Sequence, residues 1–190
     1  MSDHPRIVVP AWQRSHALQR LLNSIANAAA PAHLGFDLTI SLDGGAPRSV
    51  HDIVRQFAET QHTLGAPINV EVVEQPRHLG LRQHLLWCGD RALEHGSVIV
   101  LEDDLVVDRW FFAFAQAALG VYGGDGNGAG SGGGGDDAHE RGSVGDDPSI
   151  AGIALHATEH NEFARRPFKP MRNGLSTYRM QLPCSWGQCW

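Results

Sequence analysis

The spacing of apolar residues along the chain switches repeatedly between the period of a strand and that of a helix. Arg6 to Pro10 carries the short run I-V-V, followed by Ala11-Trp12-Gln13-Arg14-Ser15. From Ala17 onward Leu18, Leu21, Leu22, Ile25 and Ala26 recur at helical spacing until Pro31 closes the pattern. Phe36 to Leu42 alternates as a strand does and stops at Asp43-Gly44-Gly45, where glycine permits a tight turn and a close backbone approach to a ligand. A helix starting at Arg48 or Ser49 and running through His62 follows, with Val50, Ile53, Val54 and Phe57 inward, and Gly65-Ala66-Pro67 breaks it. Ile68 to Val73 reads as a third strand, Gln75 to Gly80 as a loop, and the stretch from Leu81 to His95 as a helix.

The next segment departs from alternation. Val98 to Leu101 is continuously apolar and ends on Glu102-Asp103-Asp104, the pattern of a strand buried on both faces whose carboxyl end emerges into a cleft. Asp108 stands as the N-cap of a further helix reaching Tyr122. Strands alternating with helices predict βαβ units: an α/β fold with an open, mostly parallel sheet, helices on both faces and right-handed crossovers. In that scheme the loops Trp12 to Ser15, Asp43 to Gly45 and Glu102 to Asp104 share one edge of the sheet, where α/β folds hold ligands.

Gly120 to Asp147 interrupts the pattern with glycine and aspartate and almost nothing apolar, which predicts a disordered insert within a single domain spanning 1–190. The G-x-G-x-x-G match at Gly130, Gly132 and Gly135 is near chance in such a run and follows no strand, so it is not a dinucleotide fingerprint. Ser149 to Ala154 predicts one more strand, and His156 to Pro170 an irregular excursion. The aromatic-rich finish from Pro183 to Trp190, with no polar tail, predicts a domain incomplete at its carboxyl end.

Composition narrows the partners. With 42% hydrophobic and 19% charged residues the chain is globular, and a net charge of -6 without a Lys/Arg cluster argues against nucleic acid. No apolar run approaches the ~20 residues of a membrane span, and the amino terminus is no signal peptide, so the expectation is a cytoplasmic chain as it stands. Cys88, Cys184 and Cys189 make no disulfide framework and read as small apolar thiols.

Three adjacent carboxylates repel one another and call for a counter-charge. A hard divalent ion, Mn²⁺ or Mg²⁺, prefers oxygen ligands and shares its coordination with water and phosphates, which points to a phosphorylated ligand at Glu102-Asp103-Asp104. The competing reading of the same residues is a solvated turn.

The order V-V-P-A-W-Q-R, S-L-D-G-G, H-L-G-L-R-Q-H, V-I-V-L-E-D-D-L-V-V-D-x-x-F-F and a late S-W-G resembles nucleotide-sugar glycosyltransferases of the GT-A fold, closest to family 2 enzymes and the N-acetylglucosaminyltransferase I group. The resemblance implies a metal-dependent, inverting transfer from a UDP-sugar to the hydroxyl of a carbohydrate or glycoconjugate acceptor. It places Glu102-Asp103-Asp104 on the D-x-D-type motif, with Asp104 ligating Mn²⁺ (or Mg²⁺) and Glu102 and Asp103 holding ribose or donor sugar. It sets Asp43 on the uracil edge, Arg14 by the base, Arg82 and His84 near nucleotide and phosphates, and Trp186 of Ser185-Trp186-Gly187 beside the donor sugar. The general base of the family lies beyond the S-W-G segment, so the resemblance puts it past Trp190 and names no catalytic residue here.

The alternative within the same resemblance is a non-catalytic nucleotide-sugar-binding fragment. A sugar-nucleotide pyrophosphorylase is disfavoured because Trp12-Gln13-Arg14-Ser15 is not a glycine-rich basic loop, and a phosphohydrolase because the acidic run follows the fourth strand rather than the first. A Walker-type kinase is excluded by the lack of G-x-x-x-x-G-K-[ST].

Overall fold

The computed structural model describes residues 4–28 and 35–122, together with isolated two-residue strands farther along. The elements are β1 (Arg6–Ala11), α1 (Ser15–Ala26), β2 (Phe36–Leu42), α2 (Arg48–Leu64), β3 (Ile68–Glu74), α3 (Gly80–Asp90), α4 (Ala92–His95), β4 (Val98–Val100) and α5 (Phe111–Tyr122). The four strands pair in parallel in the order β3-β2-β1-β4. Beyond β4 the sheet continues antiparallel, Gln188–Cys189 pairing with Ile99 and Val100 on one side and with Ile153–Ala154 on the other.

That order explains where the helices go. From β1 the chain steps outward through β2 to β3, then returns to the far side of β1 to lay down β4. Right-handed crossovers in opposite directions put their helices on opposite faces. Accordingly Ile7 and Val9 of β1, Leu38 and Ile40 of β2, and Ile99 of β4 pack with Leu18, Leu21 and Ile25 of α1, Val54 of α2 and Phe112 of α5. On the other face Val8, Val98 and Val100 meet Cys88, with Leu85 and Trp87 of α3 and Ala92 of α4 around them. Alternate residues of β1 and β4 thus feed two cores, which is why neither strand shows an alternating sequence.

Boundaries differ from the periodicity in three places. The helix expected over Leu81 to His95 is two, separated at Arg91, where the weak helix formers Gly89 and Asp90 end the first. Asp108 does not cap α5 directly: its Oδ1 accepts the Trp110 N–H at 2.8 Å, a local turn that delivers the chain to a helix beginning at Phe111. Helix α5 runs to Tyr122, so the first residues assigned to the glycine-rich insert, from Gly120, are helical; the rest of that insert lies outside the described residues. Helix α2 ends where the sequence places its stop, with Gly65 in the left-handed conformation at φ 59° and its N–H returned to the His62 carbonyl.

Candidate functional site

The strand order reverses between β1 and β4, and in open α/β sheets the crevice opens at the carboxyl ends of the strands on either side of such a reversal. Arg14 leaves β1 there and Glu102-Asp103-Asp104 leave β4. The pairing with β1 continues one residue past the end of β4, since the Leu101 N–H donates to the Val8 carbonyl at 3.0 Å. Across this crevice Arg14 Nη2 stands 2.5 Å from Asp103 Oδ1 and Nη1 2.6 Å from Asp104 Oδ2. Asp103 is buried, whereas Arg14 and Asp104 are half-exposed.

The electrostatics follow from that placement. Burial pushes the Asp103 carboxyl above its ordinary range, and the guanidinium of Arg14 offsets this only in part. Glu102 is raised by burial and then by its neighbour Asp104. Burial acts to lower Arg14, but the two carboxylates outweigh it and hold the guanidinium protonated. A counter-charge for the acidic cluster is therefore already present in the chain.

Beside this group the loop after β2 grips the loop after β3. Asp43 is only 3% exposed, and its oxygens accept four polar contacts: the N–H groups of Gly44 (2.8 Å) and Leu79 (2.6 Å) on Oδ1, and that of Gly80 (3.0 Å) with His78 Nδ1 (2.8 Å) on Oδ2. Burial tends to raise this carboxyl, yet the backbone donors Leu79, Gly80 and Gly44 outweigh it and hold its pKa below the usual range. Gly44 is required by the same approach, because a Cβ there would lie 2.1 Å from the Arg77 carbonyl carbon. With its acceptor sites used, Asp43 has no edge left for a uracil in this conformation. In this conformation it positions the 77–80 loop.

His84, buried on α3, reaches under the same loop. Its Nε2 lies 2.7 Å from Ser41 Oγ, and Gln75 Nε2 donates to that oxygen at 3.0 Å. Burial lowers the pKa of His84, Asp43 partly restores it, and His78 lowers it further, so the ring is neutral at pH 7. Ser41 Oγ thus links the Gln75 amide, from which it accepts, to the His84 ring. The Trp12 ring stacks on His78 with centroids 4.3 Å apart and planes inclined by 30°.

Of the residues singled out in the sequence, Arg14, Glu102, Asp103 and Asp104 come together at one crevice, and Asp43 and His84 meet in the adjoining loops. Arg82 does not join them. It is exposed on the first turn of α3, and two residues' separation turns it away from the buried His84. Trp186 lies outside the described residues. Sequence reasoning missed Trp12, Ser41, Gln75 and His78, although an aromatic residue directly after β1 was a visible signal. Cys88 is the apolar filler expected, its thiol pushed up to about 12 by burial.

Among the described residues no three His, Cys, Asp or Glu side chains assemble into a metal cage. The donor set still suits a hard divalent ion held through one half-exposed carboxylate, Asp104, with phosphate oxygens and water completing its shell. Among the described residues no helix is long and apolar enough to cross a membrane.

No protein-family model matches the chain. It is 29% identical over 124 residues to the alpha-1,3-mannosyl-glycoprotein 2-beta-N-acetylglucosaminyltransferase of Arabidopsis thaliana, a match covering 60% of this chain and 27% of that protein. The chain thus spans about a quarter of the length of that curated relative. Among solved structures it resembles TarS 1-349 of S. aureus with a TM-score of 0.47 at 18% identity, covering 64% of this chain and 34% of that one. The same protein in complex with UDP-GlcNAc gives a TM-score of 0.46 at 18% identity, covering 64% and 32%.

Proposed function

We propose that this chain is the donor-binding part of a GT-A-type glycosyltransferase that moves a sugar from a UDP-sugar, UDP-N-acetylglucosamine first among candidates, to an acceptor hydroxyl with inversion and with a divalent metal. The observation that carries the reading is the juxtaposition at the strand-order reversal: Arg14 after β1 faces Asp103 and Asp104 after β4, beside loops fixed by Asp43. The similarity to the Arabidopsis N-acetylglucosaminyltransferase supports sugar transfer as the chemistry.

In this reading Glu102 and Asp103 accept hydrogen bonds from ribose and donor-sugar hydroxyls. Asp104 holds Mn²⁺ or Mg²⁺, which when bound neutralises charge on the departing diphosphate as a Lewis acid. The Trp12–His78 stack offers the flat apolar face a nucleobase needs. Asp43 serves the base indirectly, by fixing the backbone of 77–80. Trp186 flanks the donor sugar. The base that takes the acceptor proton is assigned to none of the described residues.

A second reading is a nucleotide-sugar-binding fragment without turnover. Calorimetric titration with UDP and Mn²⁺ gives heat in both readings, and UDP release from UDP-N-acetylglucosamine occurs only in the first. Absence of any UDP binding in the presence of Mn²⁺ overturns both.

A further inference from the structure

The two carboxylates that share Arg14 are not equivalent. Asp103 is buried with 7% of its side chain accessible, and Asp104 stands out with 47% accessible. An ion pair in water is held weakly, whereas a buried carboxylate that loses its partner is left with an uncompensated charge. The guanidinium is therefore bound firmly at one end and loosely at the other. Each carboxylate engages a different nitrogen, Nη2 for Asp103 and Nη1 for Asp104, so one contact can break without the other.

We infer that Arg14 is an exchangeable counter-cation: in the free chain it occupies Asp104, and donor loading transfers it off Asp104 while Asp103 retains it. This rests on the donor-site reading above. The exchange follows from charge. A divalent ion approaching Asp104 meets a guanidinium already 2.6 Å from that carboxylate, and the two cations repel. Metal alone is disfavoured while Arg14 is there. A nucleoside diphosphate changes this, because its phosphate oxygens give the released guanidinium nitrogen a new anionic partner. Metal and nucleotide then bind with positive coupling, and Arg14 is the residue that transmits it. The same contact keeps the acidic cluster from collecting stray divalent ions when no donor is present.

The test is a Mn²⁺ titration followed by the electron paramagnetic resonance signal of the free ion, on the full chain, with and without UDP. Wild type, Arg14→Met and Arg14→Lys are compared, with circular dichroism verifying the fold of each. In Arg14→Met the affinity for Mn²⁺ alone rises roughly fivefold, the weight of one exposed ion pair, and the enhancement by UDP shrinks by a similar factor. Arg14→Lys, a point charge unable to bridge both carboxylates, falls between. Should the methionine variant not fold, the lysine variant decides by the same criterion. Unchanged or weaker binding of Mn²⁺ alone by the folded variants overturns the exchange, whatever UDP does. Failure of wild type to bind Mn²⁺ with UDP overturns the donor reading instead, and the methionine arm still reports on Arg14.

Discussion

His78 Nδ1 lies 2.8 Å from Asp43 Oδ2, so the loop after β3 is tied to the loop after β2 by a side-chain contact as well as by the N–H groups of Leu79 and Gly80. Every one of these donors points at the same buried carboxylate. Asp43→Asn places an amide where an acceptor is needed, and one of the N–H groups is left facing another donor. A buried mismatch of this kind costs about 1–3 kcal/mol. Urea denaturation should register that loss, and amide exchange at Leu79 and Gly80 should speed up together with it. Exchange rates equal to wild type would show that the carboxylate does not hold the loop.

The same clamp has an acid limit. Asp43 has a folded pKa below the ordinary 3.8 of a free carboxyl, burial being outweighed by its backbone donors. A depressed carboxyl contributes stability that is complete above the unfolded pKa and is lost as pH falls through the folded one. The 77–80 loop therefore stays clamped as pH drops to 3.8 and lets go only below it. His84 adds a separate slope at higher pH: its folded pKa lies below 6.5, chiefly through burial, so its share is full above 6.5 and declines as pH falls below that value. Stability measured against pH should show both falls, and Asp43→Asn should remove the more acidic one while deepening the His84 fall, because the charge that partly restores that ring is gone.

Much of the frame was legible because it rests on periodicity. Ile7, Val9 and Ile99 serve one core and Val8, Val98 and Val100 the other, and unbroken apolar runs are how strands covered on both faces are written. The carboxylates after β4 were legible for the same reason, since a buried strand has to end somewhere polar. Their partner was not. Arg14 is 90 positions from Asp104, and no local spacing signals that the reversal of strand order brings the two together. Three adjacent carboxylates by themselves call for a metal, whereas the chain supplies a guanidinium as well. The contacts that Asp43 makes within the chain were not legible either, because backbone N–H groups 36 and 37 positions away leave no side-chain signature. The break at Arg91 was missed since apolar residues continue at helical spacing on both sides of it.

Asp103 sets stability against binding. Its folded pKa is raised, mainly by burial, so the charged form is the disfavoured one. Stability falls as pH rises from the unfolded value of 3.8 to the raised folded one. Asp103→Asn removes the buried charge, and the Arg14 it leaves behind is half-exposed and keeps Asp104. The melting temperature at pH 7 should stay level or rise by about 2–4 °C, while UDP binding in Mn²⁺ weakens by at least about tenfold, the worth of one charge-assisted contact. A marked fall in melting temperature would mean that the Arg14–Asp103 pair is a structural bond first.

Asp104 should behave in the opposite way. It is half-exposed, and its partner Arg14, at 2.6 Å, is itself half in water. Pairs of that kind are worth at most about 1 kcal/mol, so Asp104→Ala should shift the melting temperature by no more than about 4 °C. Its effect on ligand binding should be total in one respect. The affinity of the variant for UDP in the presence of Mn²⁺ should equal that of wild type in EDTA, because the single carboxylate through which the metal is held is gone. Isothermal titration of both proteins under both conditions makes the comparison. A variant that still binds UDP more tightly with Mn²⁺ than without it would move the metal off Asp104, leaving Glu102 as the remaining carboxylate of the cluster not paired with Arg14.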